Sequence, residues 1–204
     1  MEEVKLGLTE TKLSTENIYS GKVVDFTLDK VRLPDGNIAD REVVKVKEAV
    51  AILAITPDNR VIFVEQYRYP TGKVLLEIPA GKIENEDIAT AAIRELKEET
   101  GYTGEVVEYI TKFYPTPGFC NEIIHLVQVK CTDRTDKFKA DDDDEFINVK
   151  EFDIEEVISH LDNNEIEDAK TLIALLHLKD EKSKYRIKEL DRFIKENVTL
   201  GDLL

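Results

Sequence analysis

Residues 49–56 read AVAILAIT, an apolar run closed at once by Pro57-Asp58-Asn59. It falls far short of the ~20 residues a helix needs to span a bilayer. A half-buried strand alternates apolar and polar side chains, whereas an unbroken short run suits a strand covered on both faces. Such a strand requires structure above and below its sheet. Residues 61–66 (VIFVEQ) read as its partner, and 74–78 as a further short strand stopped by Pro79-Ala80-Gly81. A helix is expected over 87–100, because Ile88, Ala91, Ala92 and Leu96 recur at three- and four-residue spacing, with Gly101 as C-cap. Strands are expected at 105–109, 112–114, 122–130 and 146–152. Helices are expected at 154–161 and 168–178, the second continuing or restarting through 185–197. Upstream, 18–48 is β-rich around the turn Pro34-Asp35-Gly36-Asn37. The fold class is therefore α+β, an α/β/α sandwich with a mixed sheet. Residues 1–48 form an N-terminal β-rich extension and 49–204 the main domain.

Charge narrows the function. The 43 acidic residues outnumber the 28 basic ones, giving a formal net charge of −15. Such a surface repels phosphate backbones and anionic bilayers, which argues against nucleic-acid and membrane-surface roles. An anionic substrate should therefore arrive with, or onto, divalent metal. Met1-Glu2-Glu3-Val4-Lys5 lacks the basic and then apolar regions of a secretory signal, so a cytoplasmic protein is expected. Cys120 and Cys131 suggest neither a disulfide framework nor zinc, and His125, His160 and His177 are scattered.

Glu95, Glu98 and Glu99 stand at i, i+3 and i+4 and share one face of the expected helix. Arg94, four residues before Glu98, can offset their repulsion. Clustered carboxylates are suitable ligands for Mg²⁺. Spacing alone nevertheless favours a solvated charged face over a metal site.

The surrounding pattern changes that balance. Residues 80–102, AGKIENEDIATAAIRELKEETGY, resemble the loop-helix-loop box of the Nudix hydrolases. Glu86, Arg94, Glu95, Leu96, Glu98, Glu99, Gly101 and Tyr102 match it in register. Counting back from Glu86, the box's first glycine position falls on Ala80 and Gly81 comes one residue late, so the loop before the helix is expected to be one residue short. The resemblance implies a Nudix α/β/α sandwich with Glu95, Glu99 and the backbone carbonyl of Ala80 as ligands for Mg²⁺, or Mn²⁺. It implies an auxiliary role for Glu98, an orienting role for Arg94 and a structural or outer-shell role for Glu86.

Beyond the box the chain resembles the ADP-ribose pyrophosphatases. Glu65-Gln66-Tyr67-Arg68 looks like the family's EQYR strand end, which implies substrate contact by Arg68. Glu77-Ile78-Pro79-Ala80-Gly81 looks like its entry to the box. Pro117 lies 15 positions after Tyr102, and Thr116 to Glu122 match the loop facing the terminal ribose and phosphates, which implies substrate contacts by Thr116, Gly118 and Glu122. Within the acid run Asp141 to Glu145, Glu145 matches the residue that activates water or completes a metal site, with Asp143 and Asp144 as alternatives. The stretch Ile166 to Thr171 resembles the start of the family's final helix and is read as structural. The N-terminal region resembles one that forms a homodimer in which Val23, Arg41 and Glu42 help build a shared adenosine site. At Val46-Lys47-Glu48 the chain departs from the His-Pro-Gly frequent in the family.

The expected activity is Mg²⁺-dependent hydrolysis of ADP-ribose to AMP and ribose 5-phosphate. Alternatives are another nucleoside diphosphate sugar or FAD as substrate, a non-catalytic nucleotide sensor, or an acidic Ca²⁺-binding or protein-interaction domain.

Overall fold

The computed structural model describes residues 7–135 and 146–197. The doubly buried strand lies inside a seven-stranded mixed sheet. It is β4 (Ala49–Ile55), between β5 (Arg60–Arg68) and β9 (Ile124–Arg134), in the order β10-β5-β4-β9-β8. The outer strands are β10 (Ile147–Asp153) and β8 (Tyr102–Phe113). Two short strands lie off this path: β6 (Lys73–Glu77) on β5 and β7 (Ala80–Lys82) on β4. Among the described strands of this sheet only β4 and β9 pair in parallel, with Ala49 opposite Ile124.

The two faces of β4 feed two cores. Ala51 and Leu53 pack with Phe63, with Val157 and Leu161 of α2 (Ile154–Asp162), and with Ala174, Leu175 and Leu178 of α3 (Ala169–Asn197). Val50, Ile52 and Ala54 pack on the other side with Ala91, Ala92 and Leu96 of α1 (Ile88–Thr100). The α/β/α layering follows from this one strand having no polar face.

Helix α1 starts where Asp87 accepts hydrogen bonds from the backbone N–H groups of Ala89 and Thr90, both at 3.0 Å, satisfying donors that the first turn would otherwise orphan. It ends at Gly101, whose φ of 76° is left-handed and whose N–H donates to Lys97 O.

Two elements differ from expectation. The strands expected at 105–109 and 112–114 are one strand, β8, which ends at Phe113 and whose register against β9 shifts three times; each bulge interrupts the side-chain alternation. A strand not foreseen, β1 (Thr11–Ser20), joins β2 (Asp25–Arg32) and β3 (Ile38–Lys45) in a separate antiparallel sheet. Every residue of β1 is exposed, so no buried face marks it in the sequence. No helix among the described residues is long and apolar enough to cross a membrane.

Leu53 is fully buried among sheet and helix side chains. Leu53→Ala is expected to lower unfolding free energy by about 2–5 kcal/mol, from lost burial plus the cavity left behind, as read by urea denaturation.

Candidate active site

The turn from β6 into β7 lays a stretch of backbone beside α1. The Ile52 N–H donates to Pro79 O at 2.8 Å, and Ala80 and Gly81 pair with Ala51 and Val50 of β4. From the helix side, Glu99 Oε2 accepts the Ala80 N–H at 3.1 Å. Glu95 comes so close to Gly81 that a Cβ there would stand 2.0 Å from its carboxyl carbon. A glycine at 81 is what lets this carboxylate reach the strand.

Arg94 holds the acidic face together. Its Nε and Nη2 donate to Glu86 Oε1 at 2.9 and 2.6 Å, and its Nη1 donates to Glu95 Oε1 and Glu98 Oε2, both at 2.9 Å. A further Nη2 bond reaches Lys82 O at 3.0 Å. Led by the Glu86 hydrogen bond, these acceptors outweigh desolvation and raise the already high pKa of the guanidinium. The loop before α1 is one residue shorter than the family pattern between Gly81 and Glu86, yet Glu86 still meets Arg94.

These groups open into a cavity of about 830 Å³. Glu95, Glu98 and Glu99 form one wall, while Arg68, Glu122 and the exposed Val23 approach from others. Arg68 is gripped by Glu77, with Nε on Oε1 at 2.7 Å and Nη2 on Oε2 at 2.8 Å. Glu77 is almost fully buried. Desolvation alone would raise its pKa, but hydrogen bonds from Arg68 and the charge of Lys170 outweigh it and hold the carboxyl below its ordinary value. Glu122 differs: burial pushes its pKa up, and it makes no hydrogen bond among the described residues.

The remaining expected site residues fall elsewhere. Arg41 and Glu42 lie on β3 outside the cavity lining, and Arg41 pairs with Glu10 (Nε to Oε2 at 2.9 Å) and donates to Asp40 O. Thr116 and Gly118 also stand off the cavity, in a loop docked on β3 through Val44 N–H to Phe119 O (2.8 Å) and Val46 N–H to Asn121 Oδ1 (2.8 Å). Glu145, with Asp143 and Asp144, lies outside the described residues. Lys170, within the stretch expected to be structural, lines the cavity and pairs there with Glu77. Its signal was Glu77 itself, since a carboxylate entering a buried turn must bring a counter-charge.

Two family models match the chain: the NUDIX domain over residues 45–175 and the nucleoside diphosphate sugar hydrolase N-terminal domain over residues 10–44. The chain belongs to the Nudix hydrolase family. It is 43% identical over 170 residues to the methanol dehydrogenase activator of Bacillus methanolicus, covering 83% of this chain and 92% of that protein. It is 41% identical over 172 residues to the ADP-ribose pyrophosphatase of Bacillus subtilis (strain 168), covering 84% and 93%. A crystal structure of an ADP compounds hydrolase superposes with a TM-score of 0.76 at 20% identity, covering 89% of this chain and 98% of that one, and shares the fold.

The Nudix helix offers hard oxygen donors beside a backbone carbonyl, a donor set that suits a divalent cation. Among the described residues no three His, Cys, Asp or Glu side chains form a ready-made metal cage. Mg²⁺ is commonly held by one or two carboxylates, waters and substrate phosphates, so the two observations agree.

Gly81→Ala is expected to displace Glu95 while leaving the fold intact, since the obstructed group is the end of a flexible side chain. Metal-dependent turnover should fall by about 10- to 100-fold, the range typical of disturbed ligand support, with the melting temperature little changed.

Proposed function

We propose that the protein hydrolyses the pyrophosphate bond of ADP-ribose, giving AMP and ribose 5-phosphate, with Mg²⁺ held by Glu95, Glu99 and the Ala80 carbonyl. The observation that carries this reading is the placement of the acidic wall of α1 and the Arg68 guanidinium around one cavity. The name of the Bacillus subtilis relative, which matches this chain over most of its length, supports the choice of substrate.

Bound Mg²⁺, or Mn²⁺ in its place, supplies charge neutralisation on the phosphoryl oxygens and a lower pKa for the attacking water. The protein contributes position. Water adds to one phosphorus, the bridging P–O bond breaks, and the bridging oxygen leaves with the other phosphate, so that two monoesters form and the water's proton is released. Glu145 is the proposed acceptor of that proton, with Asp143 and Asp144 as its rivals. Glu98 and Arg94 keep the ligand carboxylates on the cavity side. Arg68 presents a fixed fork edge to the diphosphate. Glu122, which makes no hydrogen bond among the described residues, can accept hydrogen bonds from the hydroxyls of the terminal ribose, and Thr116 and Gly118 lie on the loop that leads to it.

The N-terminal sheet would complete the site by dimerisation. Its first strand exposes Leu13, Ile18 and Tyr19, and Val23 already borders the cavity. In this arrangement Arg41 and Glu42 of one subunit serve the adenosine end of a shared site. Light scattering should then give about twice the mass of one chain, and a clean monomer would rule out a shared site. A second reading keeps the chemistry and changes the substrate to another nucleoside diphosphate sugar, which the description of the N-terminal family model favours, or to FAD.

The deciding assay is release of phosphatase-sensitive products from a panel of ADP-ribose, nucleoside diphosphate sugars and FAD, with Mg²⁺ and with EDTA. Turnover should be greatest on ADP-ribose and vanish on chelation. Glu99→Gln should lower kcat by at least about 100-fold while the protein stays folded. Near-normal activity in that variant would exclude Glu99 as a ligand.

A further inference from the structure

Lys170 is a buried lysine in the wall of the reaction cavity, and the chemistry above makes no use of it. Its ammonium bonds Glu77 Oε2 and lies 3.1 Å from Asp168 Oδ1. Its backbone is equally fixed. Asp168 Oδ2 accepts from the Thr171 N–H at 2.9 Å and from the Thr171 hydroxyl at 2.6 Å, and Thr171 Oγ1 in turn accepts the Ile78 N–H at 2.9 Å. The start of α3 is thus stapled to the residue that follows Glu77.

Among the described residues Glu77 is the only carboxylate that hydrogen-bonds Arg68, and its bonds occupy Nε and Nη2, leaving Nη1 without a partner there. A fork held by one carboxylate takes its orientation from that carboxylate's plane. With Oε2 fixed from the α3 side, Glu77 cannot swing, and the plane it passes to Arg68 is set. We propose that Lys170 is a positioning residue that pins Glu77 and so aims Arg68 into the cavity, making the start of the last helix a determinant of affinity for the diphosphate. This rests on reading the cavity as the site of a phosphate-bearing nucleotide.

The test compares wild type with Lys170→Met, Lys170→Arg, Arg68→Ala and the Arg68→Ala/Lys170→Met double variant. The substrate is whichever member of the nucleoside diphosphate panel the wild type hydrolyses fastest. Arg68 holds ground and transition states alike, so Lys170→Met should raise KM about tenfold with kcat within about twofold. Lys170→Arg, which keeps the charge, should stay near wild type. Adding Lys170→Met to Arg68→Ala should raise KM no further, because both act through one group. In ¹⁵N–¹H spectra, exchange of the Arg68 Nε–H with water should quicken about tenfold in Lys170→Met. A loss in kcat with KM unchanged would mark a structural role and overturn the proposal. Multiplying KM effects would also overturn it, since Lys170 would then meet the substrate itself. Should Lys170→Met fail to fold, Lys170→Gln is read in the same way. A wild type inactive on ADP-ribose would sink the functional reading alone, because the Arg68 exchange rate decides the present one without any substrate.

Discussion

Crowded like charge is the constraint on which this site depends. Glu95, Glu98 and Glu99 are brought onto one helix face, with Glu86 beside them, in a chain already carrying a net charge of −15. Each close carboxylate pair opposes the helix by a few tenths of a kcal/mol, and more where solvent is thinned. Arg94 offsets this with four bonds to three of those acids and a fifth to the Lys82 carbonyl. A lysine could not substitute, because one ammonium lacks the planar spread of donors needed to touch Glu86, Glu95 and Glu98 at once. The brace also ties the loop to the helix, so the backbone that offers the Ala80 carbonyl and the side chains opposite it are fixed by one residue.

The fold places the two halves of the site independently and lets the central strand bring them together. On one face of β4, Ala92 and Leu96 bury the inner stripe of α1, which leaves the glutamates directed away from that core. On the other, Leu175 and Leu178 seat α3, whose first turn carries Lys170 and Thr171, with Asp168 immediately before it. Strand β7 pairs with β4 at the sheet end where both reach the cavity. The acidic wall therefore belongs to one layer, and the Glu77–Lys170 pair ties the sheet to the other.

What was legible in the sequence is what leaves a periodic or punctuated trace. The run at 49–56, the helix stripe of α1, its Gly101 cap and the box register all do so, and the layered fold and the acidic wall follow from them. The bulges in β8 erased alternation and split one strand into two expected ones. Strand β1 is exposed on both sides, and its pairing with β2 is set by backbone hydrogen bonds that no side-chain pattern reports. Lys170 escaped because its partner lies 93 residues away in sequence and only the folded sheet makes them neighbours. Arg41 reads as a nucleotide-binding residue by resemblance, while within one chain it is engaged with Glu10.

The short loop before α1 carries the most instructive mismatch. Register counted from Glu86 puts the box glycine on Ala80, and a count from Gly81 would instead misalign the helix. Two separate demands meet in this loop. The close approach of Glu95 needs a residue without a side chain at 81, whatever the count. The contact with Arg94 needs a carboxylate just before the helix cap, which Glu86 supplies, while the adjacent Asp87 is left to cap α1. A deletion between the two positions preserves both demands as long as the intervening backbone still spans the gap. It does so with Ile83 anchored on the Glu48 carbonyl at 2.9 Å. The family pattern is thus two local geometric requirements joined by a connector, and the connector's length is the part that physics leaves free.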